Sequence, residues 1–158
     1  MNLRVIFTCV ILSAATVSQA FAGAEPHLRG VYAFTAHGTV FDGLTGTDRP
    51  AAMLGTMTFN GPSVVGSRVL TFSGSPGATP ATFTCNIIWD TDGTGLLDCL
   101  VNEDNAPVPL RRDVWKIAVS DNSRELQMLF LSGTPLPGAP PGIVPIRGAV
   151  ILGTAKQQ

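Results

Sequence analysis

The stretch Ala81-Thr82-Phe83-Thr84-Cys85-Asn86-Ile87-Ile88-Trp89-Asp90-Thr91-Asp92-Gly93-Thr94-Gly95-Leu96-Leu97-Asp98-Cys99-Leu100-Val101 sets two apolar arms around an Asp- and Gly-rich centre. Asp90-Thr91-Asp92-Gly93-Thr94 suits a three-residue hairpin loop, with Thr91 and Asp92 right-handed and Gly93 left-handed. Counting outward from Asp90 opposite Thr94 pairs Trp89 with Gly95, Ile87 with Leu97 and Cys85 with Cys99. If Asp90 and Thr94 form a hydrogen-bonded pair, alternation makes the two cysteines a non-hydrogen-bonded pair, with Cα atoms expected about 4.5 Å apart. That separation is within reach of a disulfide. The same count puts Phe83, Ile87, Trp89, Leu97 and Val101 on the disulfide's face, the expected core, with Trp89 across the space left by Gly95 and Asp98 turned to solvent.

The compartment supports the bridge. Residues 1–22 have the build of a cleavable signal peptide: a basic start ending at Arg4, an apolar run from Val5 to Val17, and Ala20-Phe21-Ala22 before Gly23 as the cut site. The run is too short to span a bilayer, which takes roughly 20 residues. Cys9 lies inside it and leaves with it, so Cys85 and Cys99 are the pair remaining in a chain sent to an oxidising compartment, periplasmic or extracellular. Their thirteen intervening residues argue against a redox-active dithiol, and one pair is not a metal site.

The rest, residues 23–158, is the length of one domain. The chain has 10 Lys and Arg against 11 Asp and Glu; removing Arg4 leaves nine against eleven, net minus two, without blocks. No basic footprint for nucleic acid exists. Short β-branched or alternating runs, bounded by Gly, Pro, Asn or Asp, predict eight strands near 30–40, 52–59, 64–73, 81–89, 95–102, 113–119, 125–131 and 146–154. Asn60-Gly61-Pro62, Asp90-Thr91-Asp92-Gly93 and Ser120-Asp121-Asn122-Ser123 are turns short enough to make neighbours antiparallel. Trp115, Ile117 and Val119 share one face, as do Leu126, Met128 and Phe130. A one-faced sheet of this size needs closure or a second sheet. The expected fold is therefore all-β, an eight-stranded antiparallel up-and-down barrel, with a β-sandwich as the alternative. Two long connections, Asn102 to Arg112 and the proline-rich Ser132 to Pro145, are expected outside the ladder, covering a surface or a barrel mouth.

Leu28-Arg29-Gly30-Val31-Tyr32-Ala33-Phe34, Gly55-Thr56-Met57-Thr58-Phe59-Asn60-Gly61, Ala81-Thr82-Phe83-Thr84-Cys85 and Asp92-Gly93-Thr94-Gly95 resemble small exported, largely uncharacterised bacterial proteins with Gly-Thr-Tyr and Asp-Gly-Thr-Gly hairpin signatures. That group looks lipocalin-like, or similar to allene oxide cyclase barrels. The resemblance implies a calycin-like barrel and supplies no activity. This chain has Ala81-Thr82-Phe83 where the group has Gly-Thr-Tyr before the cysteine.

Chemistry-bearing motifs are few. His27 and His37 are the two histidines, His27 close to the expected new N-terminus and His37 beside a Gly38-Thr39 kink, and no ligand spacing surrounds either. Asp90, Asp92 and Asp98, followed by Glu103 and Asp104, crowd one hairpin, but the later ligands of a calcium loop are missing, so Asp90 and Asp92 read as turn formers. No nucleophile elbow or phosphate loop is present. No catalytic, cofactor-binding or metal-ligating residue is assigned, and no cofactor is implied. Three readings remain: a non-catalytic module holding a small apolar ligand in a hollow barrel, an interaction or surface protein with a solid core whose loops meet another protein or the envelope, and a cyclase- or isomerase-like enzyme with the substrate in the cavity. A membrane-spanning barrel is disfavoured, since nine aromatic residues remain after the signal and none ends the chain. Interior volume separates the second reading from the other two.

Overall fold

A computed structural model describes residues 27–42, 47–74, 77–104, 106–120, 123–140 and 145–158; the expected signal peptide, Cys9 and the middle of the Ser120–Ser123 turn lie outside them. Eight strands follow one another: β1 (Arg29–Asp42), β2 (Thr47–Asn60), β3 (Ser63–Phe72), β4 (Ala78–Trp89), β5 (Thr94–Glu103), β6 (Arg111–Ser120), β7 (Glu125–Pro135) and β8 (Arg147–Gln157). Each pairs antiparallel with the next, and β8 returns to β1, so the sheet is a closed up-and-down barrel rather than a sandwich. Closure removes both sheet edges, which is how a one-faced meander of apolar strands avoids pairing with other chains.

The central hairpin has the expected register: Trp89 faces Gly95, Ile87 faces Leu97 and Cys85 faces Cys99. Asp90 N–H donates to the Thr94 carbonyl at 2.8 Å, and Gly93 takes φ of 81°, the left-handed value the turn demands. Cys85 and Cys99 are bonded at 2.05 Å. Their Cα atoms stand 3.9 Å apart, closer than the expected separation for an unbridged pair. A Cβ on Gly95 would come within 2.8 Å of the Trp89 ring, so the indole occupies the space the glycine leaves.

Strand ends depart from the expectation at prolines. β2 begins at Thr47, carrying Pro50 opposite Thr39, and β7 runs on to Pro135 opposite Arg111. A proline near the end of a strand removes one donor but keeps its carbonyl, and the Pro50 carbonyl indeed accepts from Ser73 N–H at 2.8 Å. Four residues expected in the proline-rich connection, Ser132 to Pro135, thus belong to β7. In β7 the register against β6 shifts between Val114 and Trp115, which leaves Leu131 as an extra, exposed residue.

Burial alternates along every described strand, and the inward side chains make one core that includes Tyr32, Phe34, Met57, Phe59, Val64, Ile117, Leu126 and Phe130. Edge-to-face pairs between neighbouring strands tighten it, Trp115 to Phe130 at 4.9 Å and Tyr32 to Phe59 at 5.0 Å between centroids. The Tyr32 hydroxyl donates to the Ser123 carbonyl, so the one polar atom of that ring is satisfied at the barrel end.

Candidate functional site

Four charged side chains point inward with this core. Arg68 lies in phase with Val64 and Leu70, Glu103 with Cys99 and Val101, and Arg111 and Asp113 with Trp115 and Ile117. Period-2 alternation leaves them no outward option. Asp113 is 0% exposed and the other three are 8% or less. Such burial is tolerated only with pairing. Asp113 accepts from Arg111 Nε at 2.7 Å and from Arg68 Nη1 at 2.9 Å, while Arg111 Nη2 meets Glu103 Oε1 at 2.7 Å. Two cations and two anions balance, so the interior carries no net charge from this group.

Small residues make the room. Cross-strand pairing sets Arg68 beside Gly55 and Ala81, and Asp113 beside Gly133. A Cβ on Gly133 would fall 2.8 Å from Asp113 Oδ1 and 3.4 Å from the Arg111 stem. Burial pushes the Arg68 guanidinium below its ordinary value, and the neighbouring Asp113 partly offsets this. Arg68 Nη2 stays 3.7 Å from Glu103 Oε1, beyond hydrogen-bond reach.

Arg68 and Asp113 also line a cavity in the barrel, with Met53, Met57, Met128 and the disulfide among its other walls; its volume is about 20 Å³. Pockets for organic ligands run to roughly 300–1,000 Å³. Among the described residues, the middle of the lumen around Arg68 and Asp113 is therefore filled by side chains. Over the mouth nearest Glu103 and Arg111, the two long connections join: Leu136 N–H donates to the Leu110 carbonyl at 2.9 Å, and Gly133 and Ile146 exchange a pair of bonds.

The residues singled out from the sequence are placed as follows. His37 is exposed on the outer face of β1, between Ala52 and Leu152, and His27 is exposed before β1. Asp92 Oδ1 accepts from Thr94 N–H at 2.9 Å and from its hydroxyl at 2.6 Å, the self-contained bonding of a turn-forming aspartate. Asp90 pairs with Lys116. Asp104 takes a positive φ of 50° in the β5–β6 connection, whereas its neighbour Glu103 belongs to the buried cluster. Among the described residues no group of three or more His, Cys, Asp or Glu side chains is disposed to hold a metal ion.

No family model, curated protein or solved structure matches this chain. The site is therefore read from its own geometry. On the outside, Asp98 accepts from Arg112 Nε and Nη2, both at 2.6 Å, and these hydrogen bonds hold its carboxyl below the usual carboxylate range. A depressed carboxylate contributes stability that is full above its unfolded value of about 3.9 and is lost as pH falls through the lower folded value. The pair is partly solvated, so Asp98→Asn is expected to cost no more than about 1 kcal/mol near neutral pH. Urea unfolding at pH 7 and again near pH 2.5 checks the sign: the gap between variant and parent should narrow in acid, and a constant gap would assign it to packing.

Proposed function

We propose that this chain is a non-catalytic exported protein that acts through its outer surface on an envelope partner. The observation that carries this reading is the packed middle of the lumen: the cavity beside Arg68, of about 20 Å³, has no room for a substrate or an apolar ligand of ordinary size. The Cys85–Cys99 bridge favours a periplasmic or extracellular destination, where such bonds persist.

The outer wall supports the same reading. From Val31 to Thr39, Ala52 to Asn60, Ser63 to Thr71 and Ala78 to Ile88, no outward residue of β1–β4 is Asp, Glu, Lys or Arg; Arg68, in that span, faces in. Thr, Ser, Val and Leu fill these positions instead, and Leu54 and Ile88 are 61% and 59% exposed. The outward ion pairs Arg112–Asp98, Lys116–Asp90 and Lys156–Glu125 gather on the opposite half and its turns. Across β2–β4 a shallow groove of about 430 Å³ is lined by Leu54, Val69 and Pro80 with Thr56, Ser67 and Thr82. Depletion of charge with apolar groups ringed by hydroxyls is the composition of an interface centre, and it suits a neutral partner surface.

Native mass spectrometry of the protein taken from its own host's envelope tests the reading. The expected mass is that of the oxidised polypeptide alone, and a retained small molecule would overturn it in favour of a cavity binder or enzyme. Leu54→Glu should abolish cross-linking to the envelope partner while leaving the unfolding midpoint unchanged; undiminished cross-linking would remove this face from the proposal.

A further inference from the structure

We infer that the cavity beside Arg68 is a built site for one small, neutral hydrogen-bond acceptor, a single water molecule that completes the buried charge cluster. Arg68 Nε and Nη2 are buried, and among the described residues no atom accepts a hydrogen bond from them. A guanidinium presents five donors in a fixed fork, and a buried donor left unmade is costly, most of all on a charged group. Only Nη1 of this fork has protein acceptors, Asp113 Oδ2 at 2.9 Å and, weakly, the Met53 sulfur at 3.7 Å.

Size and charge then restrict the guest. A water needs a cavity of roughly 10–15 Å³, which about 20 Å³ supplies, whereas organic guests of ordinary size need roughly 300 Å³ or more. An anion would be drawn to one arginine alone, but Arg68 and Arg111 are already matched by Asp113 and Glu103, so an added anion would bury uncompensated charge. A neutral acceptor takes the fork's remaining protons without that cost, and a water can return a proton to Asp113, which lines the same cavity. The other walls of the cavity, among them Met53, Met57, Phe83, Leu97 and Val101, offer no competing oxygen.

The test uses the disulfide-bonded protein, with arginine side chains labelled for NMR. The Arg68 Nε proton should show a cross-peak to a long-lived water, and oxygen-17 relaxation should count one long-lived water fewer in Arg68→Met. Because that variant could fail to fold, two titrations of the unaltered protein stand beside it. Bromide should leave the Arg68 Nε resonance in place, and a saturable shift would identify an anion site and overturn the inference. Xenon should not enter; xenon contacts to Met53 or Met57, or an Arg68 Nε proton without its water cross-peak, would show a dry cavity and overturn it as well.

Discussion

Asp113→Ala should destabilise this protein by about 3–5 kcal/mol, the range for removing one partner from a buried ion pair. The reason is what stays behind. Asp113 is the carboxylate shared by Arg68 and Arg111, each held to it at 2.7–2.9 Å, and with it gone two guanidinium groups face one Glu103 carboxylate in a closed lumen. The sign reverses if the whole cluster is replaced. A variant carrying Met, Leu and similar side chains at Arg68, Glu103, Arg111 and Asp113 should be neutral or more stable by about 1–4 kcal/mol, since apolar residues of similar volume avoid the desolvation that the ions incur. Urea unfolding of both variants distinguishes the two effects. A loss below about 1 kcal/mol for Asp113→Ala would mean that bulk solvent reaches the cluster and screens its charges.

The second large effect is expected from the bridge. Replacing Cys85 and Cys99 together by Ala opens a fifteen-residue loop, for which the chain-entropy argument gives about 3 kcal/mol. Two features of the hairpin bear on the size. Both sulfurs are buried, at 1% and 4% exposure, so the variant also loses packing against Leu97, Val101 and Trp115 around the cavity. Against this, the Asp90–Thr94 turn bonds itself through Asp92, so the two arms stay near each other in the unfolded chain and the entropic part shrinks. Thermal or urea unfolding should show the reduced parent losing the entropic part alone and the double variant losing that part and the sulfur packing besides. A loss below about 1 kcal/mol would show that the turn alone holds the register.

The barrel and its disulfide were legible in the sequence because their signals are local. A tight turn around Gly93, a count along two arms and the alternation of Trp115, Ile117 and Val119 are all properties of neighbouring residues. The strand ends at Pro50 and Pro135 were not, because a proline is compatible with a strand terminus and only the partner strand decides whether the ladder continues there. The charged cluster was within reach and missed. Asp113 sits two residues before Trp115 and Arg68 two before Leu70, so the pattern that put the apolar neighbours inside put these inside too. Burial of a lone charge is so costly that reading each in isolation sends it to the surface. What makes it affordable is a partner dozens of positions away: Arg68 and Asp113 are separated by 45 residues and meet only across the finished lumen.

Closure through the pairing of β1 with β8 carries a consequence for how this molecule comes to exist. The first strand meets β2 at once but waits for the eleven residues of β8 before its other side is taken, and Gln158 N–H then donates to the Val31 carbonyl. Until that moment β1 and β7 each present an unprotected edge, the kind that recruits strays from other molecules. Truncation within 147–157 is therefore expected to yield insoluble aggregates rather than a smaller soluble barrel.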